Sequence, residues 1–188
     1  MTRLGILISG RGSNFQAIHE AIERGELNAQ IACVISNVPA AAGVAYALAH
    51  SLPTHAIDSK GLKRADFDAR VIEILRKSDV DLICLAGYMR LLSPDFIEAF
   101  RGRILNIHPS LLPAFPGLNA QGQALAAGVP ETGCTVHYVD EGLDSGPVIA
   151  QVKVPVLPGD NIESLSARIL EQEHLLYPKA IGTLIPAA

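Results

Sequence analysis

The sequence predicts an α/β fold, a mostly parallel, doubly wound (Rossmann-like) sheet with an antiparallel C-terminal extension. Three observations predict it. Short β-branched runs alternate with helical patterns through the first half of the chain, the rhythm of a parallel sheet with helices on both faces. Those runs are continuously apolar, as strands buried on both faces are. After Pro113 the rhythm stops, and Thr132 to Val139 and Val148 to Val156 flank an acidic loop, suiting a long-looped hairpin.

Leu4-Gly5-Ile6-Leu7-Ile8 reads as the first strand, and Gly10 to Asn14 turns into an amphipathic helix reaching about Arg24. Ile31 to Ile35 is a second strand, followed by an alanine-rich helix to about His50 and an extended piece from Thr54 to Ile57. Phe67, Val71, Ile74 and Leu75 are spaced for one buried helical face. Asp81 to Ala86 is another buried strand, and Ser93-Pro94 is an N-cap with proline at the first helical position. Arg103 to His108 is the next strand, and Pro116-Gly117 marks a loop before a short helix ending at Gly128. A final helix from about Ile162 to Tyr177 presents Ile162, Leu165, Ile169 and Leu176 as its apolar stripe. No repeat, low-complexity segment or linker divides the chain, so one domain is expected.

At 188 residues, 49% of them hydrophobic, the chain can bury a substantial core, and it reads as globular. A net charge of −4 with few aromatics disfavours general nucleic-acid binding. No run reaches the ~18 uninterrupted apolar residues of a membrane span, and no secretory leader is evident. Cys33, Cys84 and Cys134 lie far apart, each in a strand-like run, and read as buried free thiols rather than as a zinc set or disulfides.

Asn106-Ile107-His108-Pro109-Ser110-Leu111-Leu112-Pro113 is the most informative stretch. On an extended segment Asn106 and His108 point to the same side. Pro109 and Pro113 cannot donate to a strand ladder, so the chain should leave the sheet just after His108. Open α/β sheets place their chemistry at such strand ends. An amide beside a cationic imidazole can clamp a developing oxyanion, and acyl transfer comes first to mind. A carboxylate nearby would favour the charged imidazole. Asp144, within Asp140-Glu141-Gly142-Leu143-Asp144-Ser145-Gly146, is the candidate, although a solvated turn is the ordinary reading there.

Gly10-Arg11-Gly12-Ser13-Asn14 opens a helix and can offer backbone N–H groups to an anion. A plain turn capped by Ser or Asn is about as good a reading. The loop lacks the third glycine of a dinucleotide fingerprint, and the second strand ends in Ser36-Asn37 rather than in an acid for a ribose. His19, His50, His55 and His174 read as surface or packing residues, and no His-Glu-x-x-His spacing suggests a metal. His137 reads either as a core histidine or as a partner supporting the site. Arg64 and Arg90 are surface residues or anion contacts, and Met89, Leu91 and Leu92 are core or the lining of a flat apolar pocket.

These stretches, together with Ala86-Gly87-Tyr88-Met89-Arg90, Phe115-Pro116-Gly117 and Gln172-Glu173-His174, are similar to the folate-dependent glycinamide ribonucleotide formyltransferases of purine synthesis. The resemblance runs nearly end to end. It implies the formyltransferase fold in a single domain over 1–188, with a phosphate-binding half to about 100 and a folate and catalytic half beyond it. It implies formyl transfer from the cosubstrate 10-formyltetrahydrofolate to the amine of glycinamide ribonucleotide, in the cytoplasm, without a metal, by a monomer or homodimer. Gly12, Ser13 and Asn14 would hold the phosphate, and Glu173 the glycinamide end. Arg64, Met89, Arg90, Leu91, Leu92, Asn106, Val139 and Asp140 would bind the folate. Asn106, His108 and Asp144 would be catalytic.

Many relatives carry a histidine shortly after the Phe-Pro-Gly turn, where this chain has Asn119, and several continue beyond the final helix. Formyltetrahydrofolate deformylase shares the trio but usually has an N-terminal regulatory domain, and methionyl-tRNA formyltransferase has a further tRNA-binding domain. A non-catalytic folate- or nucleotide-binding module would not require the trio.

Overall fold

The computed structural model describes residues 1–186. Its elements run β1 (Thr2–Ile8), α1 (Ser13–Glu23), β2 (Ala29–Ser36), α2 (Ala42–Ala49), β3 (Thr54–Ala56), α3 (Arg64–Lys77), β4 (Leu82–Leu85), α4 (Pro94–Ala99), β5 (Ile104–His108), α5 (Ala120–Ala127), β6 (Glu131–Tyr138), β7 (Val148–Pro155) and α6 (Ile162–Gly182). The strands form one seven-stranded sheet in the order β3-β2-β1-β4-β5-β6-β7. Strands β1 to β5 pair in parallel, whereas β6 pairs antiparallel with β5 and with β7. The long-looped hairpin expected after Pro113 is therefore β6–β7.

Alternation along the central strands sorts the helices into two layers. Leu4, Ile6 and Ile8 of β1 join a core with Phe15 and Ile18 of α1, Val44 and Ala47 of α2, and Leu165, Ile169 and Tyr177 of α6. Leu7 joins the opposite core, with Phe67, Val71 and Leu75 of α3 and Phe96 and Ile97 of α4. A fully buried Leu, Ile or Phe contributes about 1.5–3 kcal/mol, so both layers are anchored. Helix α3 repeats an apolar residue every fourth position, with Asp66 in its first turn and Arg76 and Lys77 in its last, which suits the helix dipole. Ser93 caps α4 as expected, its Oγ accepting from Phe96 N, with Pro94 at the helix start. Cys33, Cys84 and Cys134 are buried free thiols in β2, β4 and β6.

Three expectations need correction. Ile162 is 51% exposed, because it is the first residue of α6, after the Asn161 capping box; Leu165, Ile169 and Leu176 carry the stripe. Helix α6 runs through Pro178 to Gly182, because Tyr177, Ala180 and Ile181 are buried on both sides of the proline. Ile74 is only partly buried, and Asp68 joins the inner face of α3 instead.

The open carboxyl edge of the parallel strands is closed in by tight turns. Gly12, the N-cap of α1, has φ 67°, which favours glycine. Gly43 lies so close to the first turn that a Cβ there would sit 3.0 Å from Gly10 O. Those two glycines let α1 and α2 converge on the end of β1.

Candidate active site

Strand β5 ends at His108, and Asn106 and His108 project from the same side of it. The chain then turns through a loop fixed from β6: Thr135 Oγ1 donates to Ser110 O (2.6 Å) and accepts from Leu112 N (3.1 Å). This turn brings Phe115 O to within 2.9 Å of His108 Nε2. A carbonyl can only accept, so Nε2 carries the proton in either charge state of the ring. Nδ1 is left as the nitrogen that gains or loses a proton, and it lies 3.4 Å from Asp144 Oδ2.

Asp144 adopts φ 49°, an uncommon conformation for a residue with a Cβ. Its Oδ2 also accepts from Gly117 N (2.8 Å), which ties the acidic loop to the turn after His108. The structure thus brings Asn106, His108 and Asp144 together. It adds His137, which the sequence left undecided. His137 Nδ1 donates to Tyr138 O (2.9 Å), so its Nε2 lone pair is free to accept from Asn106 Nδ2 (3.3 Å). Burial pushes the His137 imidazole below its ordinary value, against the opposing pull of Asp144, 3.8 Å away, and of Asp140. A neutral ring keeps that acceptor available and fixes the Asn106 amide. The only signal in the sequence was the alternation that puts His137 opposite Asn106 in an antiparallel pair.

At the start of α1 the backbone N–H groups of the first turn lack helical partners. Gly12 opens the turn, and no side chain caps it, so the Ser or Asn cap does not form. Asn14 reaches instead to Glu173 on α6, its Nδ2 donating to Oε2 at 2.7 Å. Glu173 is 6% exposed, and burial raises its carboxyl above the usual range, although the Asn14 bond opposes this. Asn14 Oδ1 is buried without a partner.

Arg64 is exposed at the first position of α3. One turn on, the Arg90 guanidinium lies 4.5 Å over the Phe67 ring, so the loop after β4 is held against α3. Ser93 N donates to Asp68 Oδ2 (2.6 Å) and closes that loop. Met89 and Leu91 are exposed, as are Leu118 after the Phe115-Pro116-Gly117 turn and Leu143 in the acidic loop. Val139 and Asp140 line a shallow cleft of about 190 Å³ with Ile97, Arg101 and Tyr138; Arg64 and Met89 to Leu92 lie outside its walls. Asn119 caps α5, its Oδ1 accepting from Gly122 N.

Among the described residues, no cluster of three or more His, Cys, Asp or Glu side chains is arranged to hold a metal ion. No helix among them is long and apolar enough to cross a membrane.

Comparison with known proteins adds to this geometry. The formyl transferase family model matches residues 2–181. Phosphoribosylglycinamide formyltransferase of Bacillus subtilis is 44% identical over 186 residues, covering 98% of this chain and 95% of that protein. The trifunctional purine biosynthetic protein adenosine-3 of Drosophila melanogaster is 47% identical over 97% of the chain, which spans 14% of that protein's length. The crystal structure of glycinamide ribonucleotide transformylase 1 from Symbiobacterium toebii superposes with a TM-score of 0.95 at 49% identity, covering 98% of this chain and 87% of that one.

Proposed function

The chain belongs to the formyl transferase family, and on that premise we propose that it transfers a formyl group from 10-formyltetrahydrofolate to the amine of glycinamide ribonucleotide. The products are formylglycinamide ribonucleotide and tetrahydrofolate, a step of purine synthesis. The reading takes residues 1–188 as one domain, acting in the cytoplasm on small molecules as a monomer or homodimer.

The observation that carries it is the meeting of Asn106, His108 and Asp144 at the end of β5. The neutral amine attacks the formyl carbon, and negative charge gathers on the formyl oxygen. Asn106 Nδ2–H and a protonated His108 Nδ1 donate to that oxygen; losing one such donor commonly lowers rate by ~10²–10³. Asp144 balances the imidazolium through Oδ2. The attacking nitrogen then sheds a proton while N10 of the folate takes one up as its bond to the formyl carbon breaks. His108, once its Nδ1 proton has passed to N10, or a water held by Asp144, relays it. General acid–base help of this kind is worth ~10²–10⁴-fold. Gly12, Ser13 and Asn14 hold the substrate phosphate, and Glu173 meets the amine. Arg64 and Arg90 with Met89, Leu91, Leu92, Val139 and Asp140 hold the folate, and the two bound substrates need no covalent link to the enzyme.

The test is to mix the protein with 10-formyltetrahydrofolate and follow tetrahydrofolate release with and without glycinamide ribonucleotide. Release that depends on the ribonucleotide supports the transferase. Release without it points to hydrolysis, and no release in either arm removes the proposal.

A further inference from the structure

Asn37 ends the segment where a dinucleotide site would carry an acid, and here it is 7% exposed and bonded at both ends of its amide. The bonding around it has one consistent direction. Met89 N–H can only donate, and it donates to Ser9 Oγ at 2.8 Å. The Ser9 hydroxyl proton therefore goes to Asn37 Oδ1, 2.5 Å away. That leaves Asn37 Nδ2 to donate to Ser59 Oγ (3.3 Å), while Ser59 N–H donates back to Asn37 O (3.3 Å). The chain of bonds crosses the carboxyl ends of β4, β1 and β2, which are neighbours in the sheet. One end fixes the loop that carries Met89, Arg90, Leu91 and Leu92. The other fixes the segment that leads into α3, whose first residue is Arg64.

We propose that Ser9 and Asn37 are positioning residues, a crossbar that sets the spacing of the two folate-holding walls and so the affinity for the folate cosubstrate. The inference rests on the functional reading above, because it takes Arg64 and the Met89 to Leu92 loop as those walls. Neither Ser9 nor Asn37 reaches the reacting atoms. The loop's other anchors, Arg90 over the Phe67 ring and Asp68 on Ser93 N, are independent of the crossbar, so the fold should survive its loss.

The experiment measures tetrahydrofolate binding by titration calorimetry for the wild-type protein, Ser9→Ala, Asn37→Ala, the double variant and Ser9→Thr. Each single alanine variant should weaken binding about fivefold, the size expected for one net hydrogen bond. The double variant should be no weaker than either single one, because both remove the same connection. Ser9→Thr, which keeps the hydroxyl, should bind as the wild type does. KM for formyl-folate should rise in Ser9→Ala while KM for glycinamide ribonucleotide stays within about twofold, a split that general loss of stability would not produce. Independently of any ligand, the Met89 amide should exchange with deuterium about tenfold faster in Ser9→Ala. Unaltered binding in Ser9→Ala, or losses that multiply in the double variant, would overturn the crossbar alone. Wild-type protein that does not bind tetrahydrofolate would overturn the folate reading and this inference with it.

Discussion

Replacing Glu173 by glutamine should make the protein more stable and less active at neutral pH. The carboxyl is 6% exposed and its hydrogen-bond partner is the neutral Asn14 amide. A cation is absent from that pairing, so the charge is held out of water with little compensation. An amide of the same shape keeps an oxygen for Asn14 Nδ2 and adds N–H donors beside the unpartnered Asn14 Oδ1. Burial of a polar group without full compensation costs about 1–3 kcal/mol by mutational data. A domain of this size gains about 2–4 °C per kcal/mol, so E173Q should melt about 2–12 °C higher at pH 7.5.

The pH dependence gives the sign independently. Burial raises the folded carboxyl above its ordinary value of 4.5, so the unfolded chain ionises first as pH rises. The wild type therefore loses stability from 4.5 upward through the raised folded value, whereas E173Q does not. The difference in Tm should be small at pH 4 and larger at pH 7.5. Turnover should show the opposite ranking: losing a charged partner for the substrate amine should lower kcat/KM for glycinamide ribonucleotide by about 10–100-fold. Calorimetric melts at both pH values, with initial rates at pH 7.5, make the test. An E173Q protein that melts lower at pH 7.5, or gains equally at pH 4, refutes the reasoning.

Asp144→Asn keeps an oxygen for Gly117 N and removes the charge beside His108; kcat should fall at least ~100-fold with KM little changed, and an unaltered pH–rate profile would rule the role out. Burial holds His137 below 6.5, so falling pH should protonate Nε2, take the acceptor from Asn106 and reduce turnover. The same group makes the wild type lose stability as pH falls from 6.5 through the lowered folded value. His137→Gln should lack that acid limb in rate, and an identical limb would exonerate His137. Tyr177 is fully buried and its one hydroxyl proton is shared between Leu85 O (3.0 Å) and Leu105 O (3.1 Å), bridging β4 and β5. Tyr177→Phe removes that shared buried donor, at about 1–3 kcal/mol, and an unchanged melting temperature would contradict the bridge.

The parallel sheet was legible because its strands are continuous apolar runs and its helices repeat at three or four residues. Phe67, Val71 and Leu75 needed no tertiary knowledge. Helix ends were less so: Ile162 looked periodic, but a residue beside a cap faces water. The Asn106–His108 pair was readable from strand geometry, since alternation is local. The meeting of His108 with Asp144 was not, because it depends on how an irregular loop folds back, with Asp144 itself in a left-handed conformation. The Ser13 or Asn14 cap was a fair local reading that a distant partner, Glu173, overrode. His137 stayed ambiguous, and Ser9 and Asn37 carried no signal, for the same reason: a polar residue at a strand end acquires its role from neighbouring strands.

The three buried thiols turn the sheet into its own reporter of opening. Burial raises all of them, Cys84 and Cys134 to about 12, so only about one such thiol in 10⁵ is ionised and reactive at pH 7. Alkylation must therefore wait for the surrounding strands to part. The thiols lie in β2, β4 and β6, sampling one flank, the centre and the antiparallel flank of the sheet. Equal labelling rates would mean that the sheet opens as one cooperative unit. Faster capture at Cys134 would mark the terminal hairpin as a separate foldon, one that carries His137 away from Asn106 each time it detaches.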